Sequence, residues 1–303
     1  MRCLFLHSLR VLVLPGIVAA FLSVASVLQP AKASAIERPY PYLQDRRDQG
    51  LQHGLNQVAK RLKLERAISE KRFGAALVDI TDLNAPKFAG INAEVMMYAA
   101  SLPKVGILLG LFRKVQEDQL ALDYRTATLA KAMVQDSSNR AASELFYMVG
   151  PAYLESLFTS PQYRLYDVSA GGGLWVGKEY GQGEAWKRDP ILHLSHAASA
   201  LKVAQLYYML ESGQLLSPGF TQAMKSILGE TSLEHKFYRG LMRNCPSAKV
   251  FRKSGSWRQF HSDSAIVEHD GKRYIAVALT NDANGSRLLE DLIVEMDTLI
   301  VAG

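Results

Sequence analysis

The spacing of apolar positions changes character several times along the chain. In 51–70, Leu51, Leu55, Val58, Leu62 and Ile68 recur at near-helical intervals among basic and polar residues, which predicts a helix. The run 72–80 is apolar and β-prone, the turn residues of 82–86 follow, and 87–91 reads as a second short strand. A helix is expected from Ser101 to about Gln116, then short helices between 121 and 158 broken at 135–139 and at Gly150-Pro151. Further helices are expected over 195–212 and 218–228. The last sixty residues give the clearest pattern. Stretches 249–257, 263–268 and 273–280 read as strands, the last two joined by the turn His269-Asp-Gly271, and 286–301 closes as a helix. Two strands near the start, three near the end and helices between them imply termini that meet in one antiparallel sheet. The expected class is α+β: a five-stranded antiparallel sheet flanked by N- and C-terminal helices. An all-helical subdomain, about 100–230, is inserted between the sheet halves.

The stretch 161–190 interrupts this regularity with six glycines and the aromatics Trp175, Tyr180 and Trp186. So long an irregular segment in a compact body is a functional loop or a disordered one, and its aromatics favour order.

The N-terminal segment is read apart from the body. Arg2 and Arg10 precede an apolar stretch over 11–28, and Ala31-Lys-Ala33 and Ala33-Ser-Ala35 offer small-x-small processing sites. This predicts a signal peptide over 1–35, a tether over 36–50 and a folded body over 51–303, hence an exported protein, periplasmic or secreted, with no stable membrane insertion after cleavage. An uncleaved anchor is the competing reading. Cleavage removes Arg2, Arg10 and Lys32 and no acid, so the formal charge falls from +6 to +3. A balance this mild, without basic runs, argues against a nucleic-acid partner. Cys245 is then the only thiol, and the fold must be held by its core.

The chemistry centres on Ser101-Leu-Pro-Lys104. Pro103 suits a first helical turn, which places Ser101 at a helix N-terminus with backbone N–H groups aimed at its oxygen. Lys104 shares its face and can accept the hydroxyl proton once burial or a second cation makes it neutral. Ser199-Ala-Leu-Lys202 repeats the spacing, but it lies within a run that reads as a plain amphipathic helix and is taken as surface chemistry. Only Ser101 is followed by Ser137-Ser138-Asn139 and then Lys253-Ser254-Gly255.

With those three motifs in order, the chain resembles the serine β-lactamase and penicillin-binding protein superfamily, and most closely the class A β-lactamase type. The resemblance spans about residues 50–303. It implies that Ser101 attacks an acyl carbonyl, Lys104 accepts its proton, and Ser137 relays a proton to the leaving nitrogen. Asn139 binds the substrate amide and Lys104, Lys253 is the second cation, and Ser254 and Gly255 hold the substrate carboxylate side. The oxyanion hole is formed by the N–H groups of Ser101 and Ser256. The implied partner is a small-molecule or peptide acyl substrate, with no cofactor and no metal.

Two departures bear on turnover. The Glu-x-x-Leu-Asn element that activates the deacylating water in class A enzymes is missing; Asp167, Glu179 and Glu184 of the glycine-rich loop are the candidates to substitute for it. Ser137 also follows Ser101 by only 36 positions, so the helical subdomain must be trimmed. The alternatives are a penicillin-binding or sensing module that is acylated but not released, and an esterase or peptidase that does not recognise penicillins. Read singly, Ser137-Ser138-Asn139 could cap a helix and Lys253 could end an edge strand. His193 and His196 could share a helix face, but no third metal ligand accompanies them.

Overall fold

A computed structural model describes residues 41–302; the stretch read as a signal peptide lies outside the described residues. A 3-10 turn, Leu43–Arg46, leads into helices α1 (Gln49–Arg61) and α2 (Glu65–Ser69). Strands β1 (Phe73–Asp79) and β2 (Lys87–Ile91) form a hairpin, and the two-residue β3 (Met97–Tyr98) precedes helices α3 (Lys104–Gln116), α4 (Tyr124–Gln135), α5 (Asn139–Val149) and α6 (Pro151–Thr159). Short strands β4 (Tyr166–Asp167), β5 (Gly172–Gly173), β6 (Trp175–Val176) and β7 (His196–Ala198) organise the glycine-rich stretch. Helices α7 (Ala200–Glu211), α8 (Pro218–Gly229) and α9 (Phe237–Asn244) follow. The chain closes with β8 (Lys249–Trp257), β9 (Phe260–His269), β10 (Lys272–Asn281) and α10 (Gly285–Val301).

The five long strands form one antiparallel sheet in the order β2-β1-β10-β9-β8. Alternation along β1 sorts its side chains between two cores. Ala75 and Leu77 join α1, α9 and α10 residues such as Val58, Leu241, Ile293 and Met296, whereas Ala76 and Val78 join the cluster built on α3 to α8. With both faces covered, β1 is apolar almost throughout. The turn after β9 carries positive φ at both central residues, Asp270 (50°) and Gly271 (73°), as a two-residue hairpin of this hand requires.

Four expectations need revision. The predicted helix over 51–70 is two helices, parted where Lys63 adopts φ 56°. The start of 195–212 is strand β7, because His196 and Ala197 are drawn into pairing with β3 and β6. Helix α7 is not amphipathic: every residue from Ala200 to Leu210 is buried, so Ser199 and Lys202 are interior residues and not surface chemistry. The segment read as a tether already belongs to the body at Leu43, which is fully buried and donates its N–H to Gln205 Oε1 at 3.2 Å. Among the described residues, no helix is long and apolar enough to cross a membrane.

Candidate active site

The nucleophile segment is fixed before its helix begins. Ala99 donates its N–H to His196 O at 3.0 Å, Ala100 takes φ 51°, and tight turns follow, with Leu102 N donating to Ala99 O and Lys104 N to Ser101 O. Regular α-helix starts at Lys104, so Ser101 sits one turn ahead of α3 rather than inside it. A left-handed conformation is uncommon for alanine, and here it lies directly before the serine. Ser101 is half-buried while Ala99, Ala100, Leu102 and Lys104 are buried.

Lys104 is fully enclosed. Its Nζ donates to Ser137 O at 2.7 Å and Asn139 Oδ1 at 2.8 Å, and lies 4.5 Å from the centre of the Tyr180 ring. None of these partners is a carboxylate, and burial pushes the Lys104 pKa down to about 7.

The Ser137-Ser138-Asn139 segment divides its duties. Ser138 caps α5, accepting from Ala141 N at 3.2 Å, so the capping reading holds for that residue alone. Ser137, at φ 56°, presents its Oγ to Lys253 Nζ at 2.9 Å, and Asn139 turns to Lys104. Lys253 is also buried and donates to Ser254 O at 2.8 Å. Burial, then the charges of Lys104 and Arg252, hold its pKa well below the ordinary lysine value.

Strand β8, the sheet edge, lies against the nucleophile turn at Gly255. A Cβ there would come 2.4 Å from Ala99 O and 2.8 Å from Leu102 N, so the approach needs glycine. Ser262, opposite Gly255 on β9, donates its Oγ to Ala99 O at 3.0 Å. Ser254 is buried beside these groups and Ser256 is exposed at the strand end. The structure therefore links Lys104, Asn139, Ser137 and Lys253 in one chain of hydrogen bonds and packs Gly255, between Ser254 and Ser256, against the turn that carries Ser101.

Sequence reasoning missed Lys236. It precedes α9, an eight-residue helix that went unanticipated, and it is buried with φ 53°. Its Nζ donates to Gly255 O at 2.6 Å, Ser256 Oγ at 2.8 Å and Ser262 O at 3.1 Å. Burial brings its pKa down to about 8. Arg252 was missed too. It pairs with Asp263 at 2.7 Å inside the protein, and Asp263 also accepts from Phe237 N at 3.1 Å, which anchors the start of α9 and thus Lys236. The only local signal was Lys236 in His235-Lys236-Phe237, which carries no recognisable pattern.

The glycine-rich loop reaches Lys104 through Tyr180, while the carboxylates of Glu179 and Asp167 are bonded to other groups. Glu179 accepts from Ser143 Oγ and Gly183 N, both at 2.7 Å. Asp167 is bonded to Ser169 and Arg164, which hold its pKa at about 2, and Glu184 is exposed. Tyr180 faces Lys104 instead, its ring tilted by 36° against that of His196 at 4.1 Å, and its buried hydroxyl has no hydrogen-bond partner among the described residues. His196 lies on β7 and His193 in the loop before it, so they share no helix face; burial lowers the His196 pKa to about 4.

A family model described as the beta-lactamase enzyme family matches residues 59–128 and 122–301. No curated protein matches the chain. Among solved structures, a class A beta-lactamase from Bacteroides cellulosilyticus DSM 14838 superposes with TM-score 0.66 at 15% identity, covering 84% of this chain and 100% of that one. The ancestral (GNCA) class A beta-lactamase gives TM-score 0.65 at 18% identity, over 83% and 99% of the two chains. PBP-A gives TM-score 0.61 at 19% identity, over 82% and 95%.

Proposed function

Because the chain belongs to the beta-lactamase enzyme family, we infer that it is an exported active-site serine hydrolase that forms a covalent ester at Ser101 with β-lactams or with amides and esters of similar shape. One observation carries this reading: an amine held near neutral pKa, Lys104, shares the Ser137 residue with a second buried lysine, one turn from a half-exposed serine.

Neutral Lys104 takes the Ser101 proton as Oγ adds to the acyl carbonyl. The tetrahedral oxyanion is received by the N–H groups of Ser101 and Ser256, each such donor contributing about 3 to 4 kcal/mol to the transition state. Ser137, oriented by Lys253, passes a proton to the departing nitrogen, and the acyl-enzyme forms as the C–N bond breaks. Asn139 and Ser254 orient the substrate amide and carboxylate, with Gly255 providing close backbone approach. Lys236 adds positive charge behind the same strand end.

A second reading, acylation with little release, is favoured by the loop. Tyr180 occupies the side of Lys104 that faces the loop, while the Glu179 carboxylate is held by Ser143 and Gly183. One of the similar structures, a variant of PBP-A, is described as an acyl-enzyme complex with penicillin G. Intact mass after incubation with a penicillin, with turnover of a chromogenic β-lactam followed in parallel, separates the readings. Turnover dependent on Ser101 supports the hydrolase, and a stable adduct without turnover supports the acylated binder. Absence of both removes β-lactams from the proposal.

A further inference from the structure

At the end of β9 remote from Ser262, a second cluster of reactive side chains lies apart from the residues around Lys104 and Lys253. Strand rise over residues 262 to 269 puts it about 23 Å away. His269 is at its centre, with a side chain 2% exposed. Its Nε2 lies 2.6 Å from Asp297 Oδ1, an oxygen that also accepts from Tyr274 OH at 2.7 Å. Its Nδ1 lies 3.2 Å from Cys245 Sγ and 3.2 Å from Asp270 Oδ2.

The bonding on the two sides of the ring is unequal. Asp297, fixed by Tyr274, holds the proton on Nε2 and leaves the Nδ1 lone pair facing a thiol and a carboxylate. A thiol sulfur, a carboxylate and a ring nitrogen then meet around Nδ1, an arrangement that a positive charge completes, whether a proton on the ring or a bound cation. The donor atoms of Cys245, His269 and Asp270 all lie within 4.8 Å of one another. A carboxylate bonded to the far nitrogen of a ligating histidine is the usual outer support of a metal-bound imidazole.

We propose that Cys245, His269 and Asp270 bind a divalent transition metal of the zinc class, with Asp297 as the outer partner of His269 and a fourth position open to solvent. Sulfur, imidazole and one carboxylate are the donor set that such an ion takes in tetrahedral geometry, and that magnesium or calcium does not. A cavity of about 400 Å³ borders His269 and Asp270, with Glu268, Lys249, Lys272 and Arg273 also on its wall. Cys245 also follows the last turn of α9, whose C-terminal carbonyls favour a cation and oppose a free thiolate. Bound metal would pin the end of α9 to the β9–β10 turn, adding stability without entering the acyl chemistry.

Cobalt(II) tests this directly on the full chain after chelator treatment. One equivalent should produce a near-ultraviolet thiolate-to-cobalt band with visible d–d bands of tetrahedral strength, and zinc should displace it and raise the melting temperature. Cys245→Ser should lose the thiolate band, and Asp270→Asn, at a 65% exposed side chain, should weaken binding tenfold or more while leaving the circular dichroism unchanged. A folded wild-type chain without the thiolate band overturns the proposal. So does equal affinity in wild type, Cys245→Ser and Asp270→Asn, which would mark adventitious surface binding. Penicillin labelling is not a readout, so this outcome is independent of the function proposed above.

Discussion

Lys253 Nζ donates to Ser137 Oγ at 2.9 Å, joining the sheet edge to the loop between α4 and α5. The contact crosses from one half of the fold to the other, and Lys104 meets the carbonyl of the same Ser137 from α3. The expectation follows that Lys253→Ala slows acylation of Ser101 by about a hundredfold or more, the scale of a lost proton-relay partner. Stopped-flow acylation with a chromogenic β-lactam, or the rate of adduct formation by mass, checks this. An unchanged rate would place the relay elsewhere.

Acylation should carry an acid limb set by Lys104. Burial brings this amine down to about 7, and the base form exists only above that value. The rate should therefore fall tenfold per unit below pH 7 and level off above it. Rates measured from pH 5 to 9 decide the matter, and a profile flat through 7 contradicts the assignment of the base.

Gly255→Ala places a methyl group 2.4 Å from Ala99 O, and backbone on both sides leaves little room to yield. Destabilisation of about 1 to 3 kcal/mol is expected in urea unfolding, together with weakened acylation because β8 is pushed from the Ser101 turn.

Tyr180→Phe removes a buried hydroxyl that lacks a partner while keeping the ring against Lys104. Stability should hold or rise by about 1 kcal/mol, since a desolvated polar group is lost without breaking a bond. Acylation should be unchanged. A large loss of stability would show that the hydroxyl is bonded in solution.

Asp263→Ala leaves the Arg252 guanidinium buried without its carboxylate and frees Phe237 N. A cost of about 3 to 5 kcal/mol is expected. Replacing Arg252 and Asp263 together by apolar residues should recover much of it, as a double-mutant cycle on melting would register.

The sheet was legible because its strands alternate between two cores: β2 matches the predicted 87–91, and the β9–β10 turn announced itself through Asp270-Gly271. The breaks at 135–139 and Gly150-Pro151 were legible from cap and breaker residues, and the order of the three motifs identified the segments that meet at Lys104 and Lys253. Lys236 was not, since its place depends on a buried ion pair between β8 and β9 that has no local signature. Ser199 and Lys202 were misassigned for a related reason. Polar residues in an apolar helix look exposed unless the chain shows what packs on both sides of it. Of the loop acids, only coordinates reveal that Glu179 points to Ser143 and that an aromatic ring takes the place beside Lys104.

In the sheet, residue 76 lies opposite residue 277, so the innermost pairing joins the two ends of the folded body. Until β10 is in place, β9 has only β8 beside it and β1 has only β2, so the sheet stands as two separate hairpins. Closing so large a loop is slow, and the reward for it arrives only at completion. The insertion of β10 is therefore the step that joins the half of the sheet carrying Lys253 to the half that leads into the Ser101 turn.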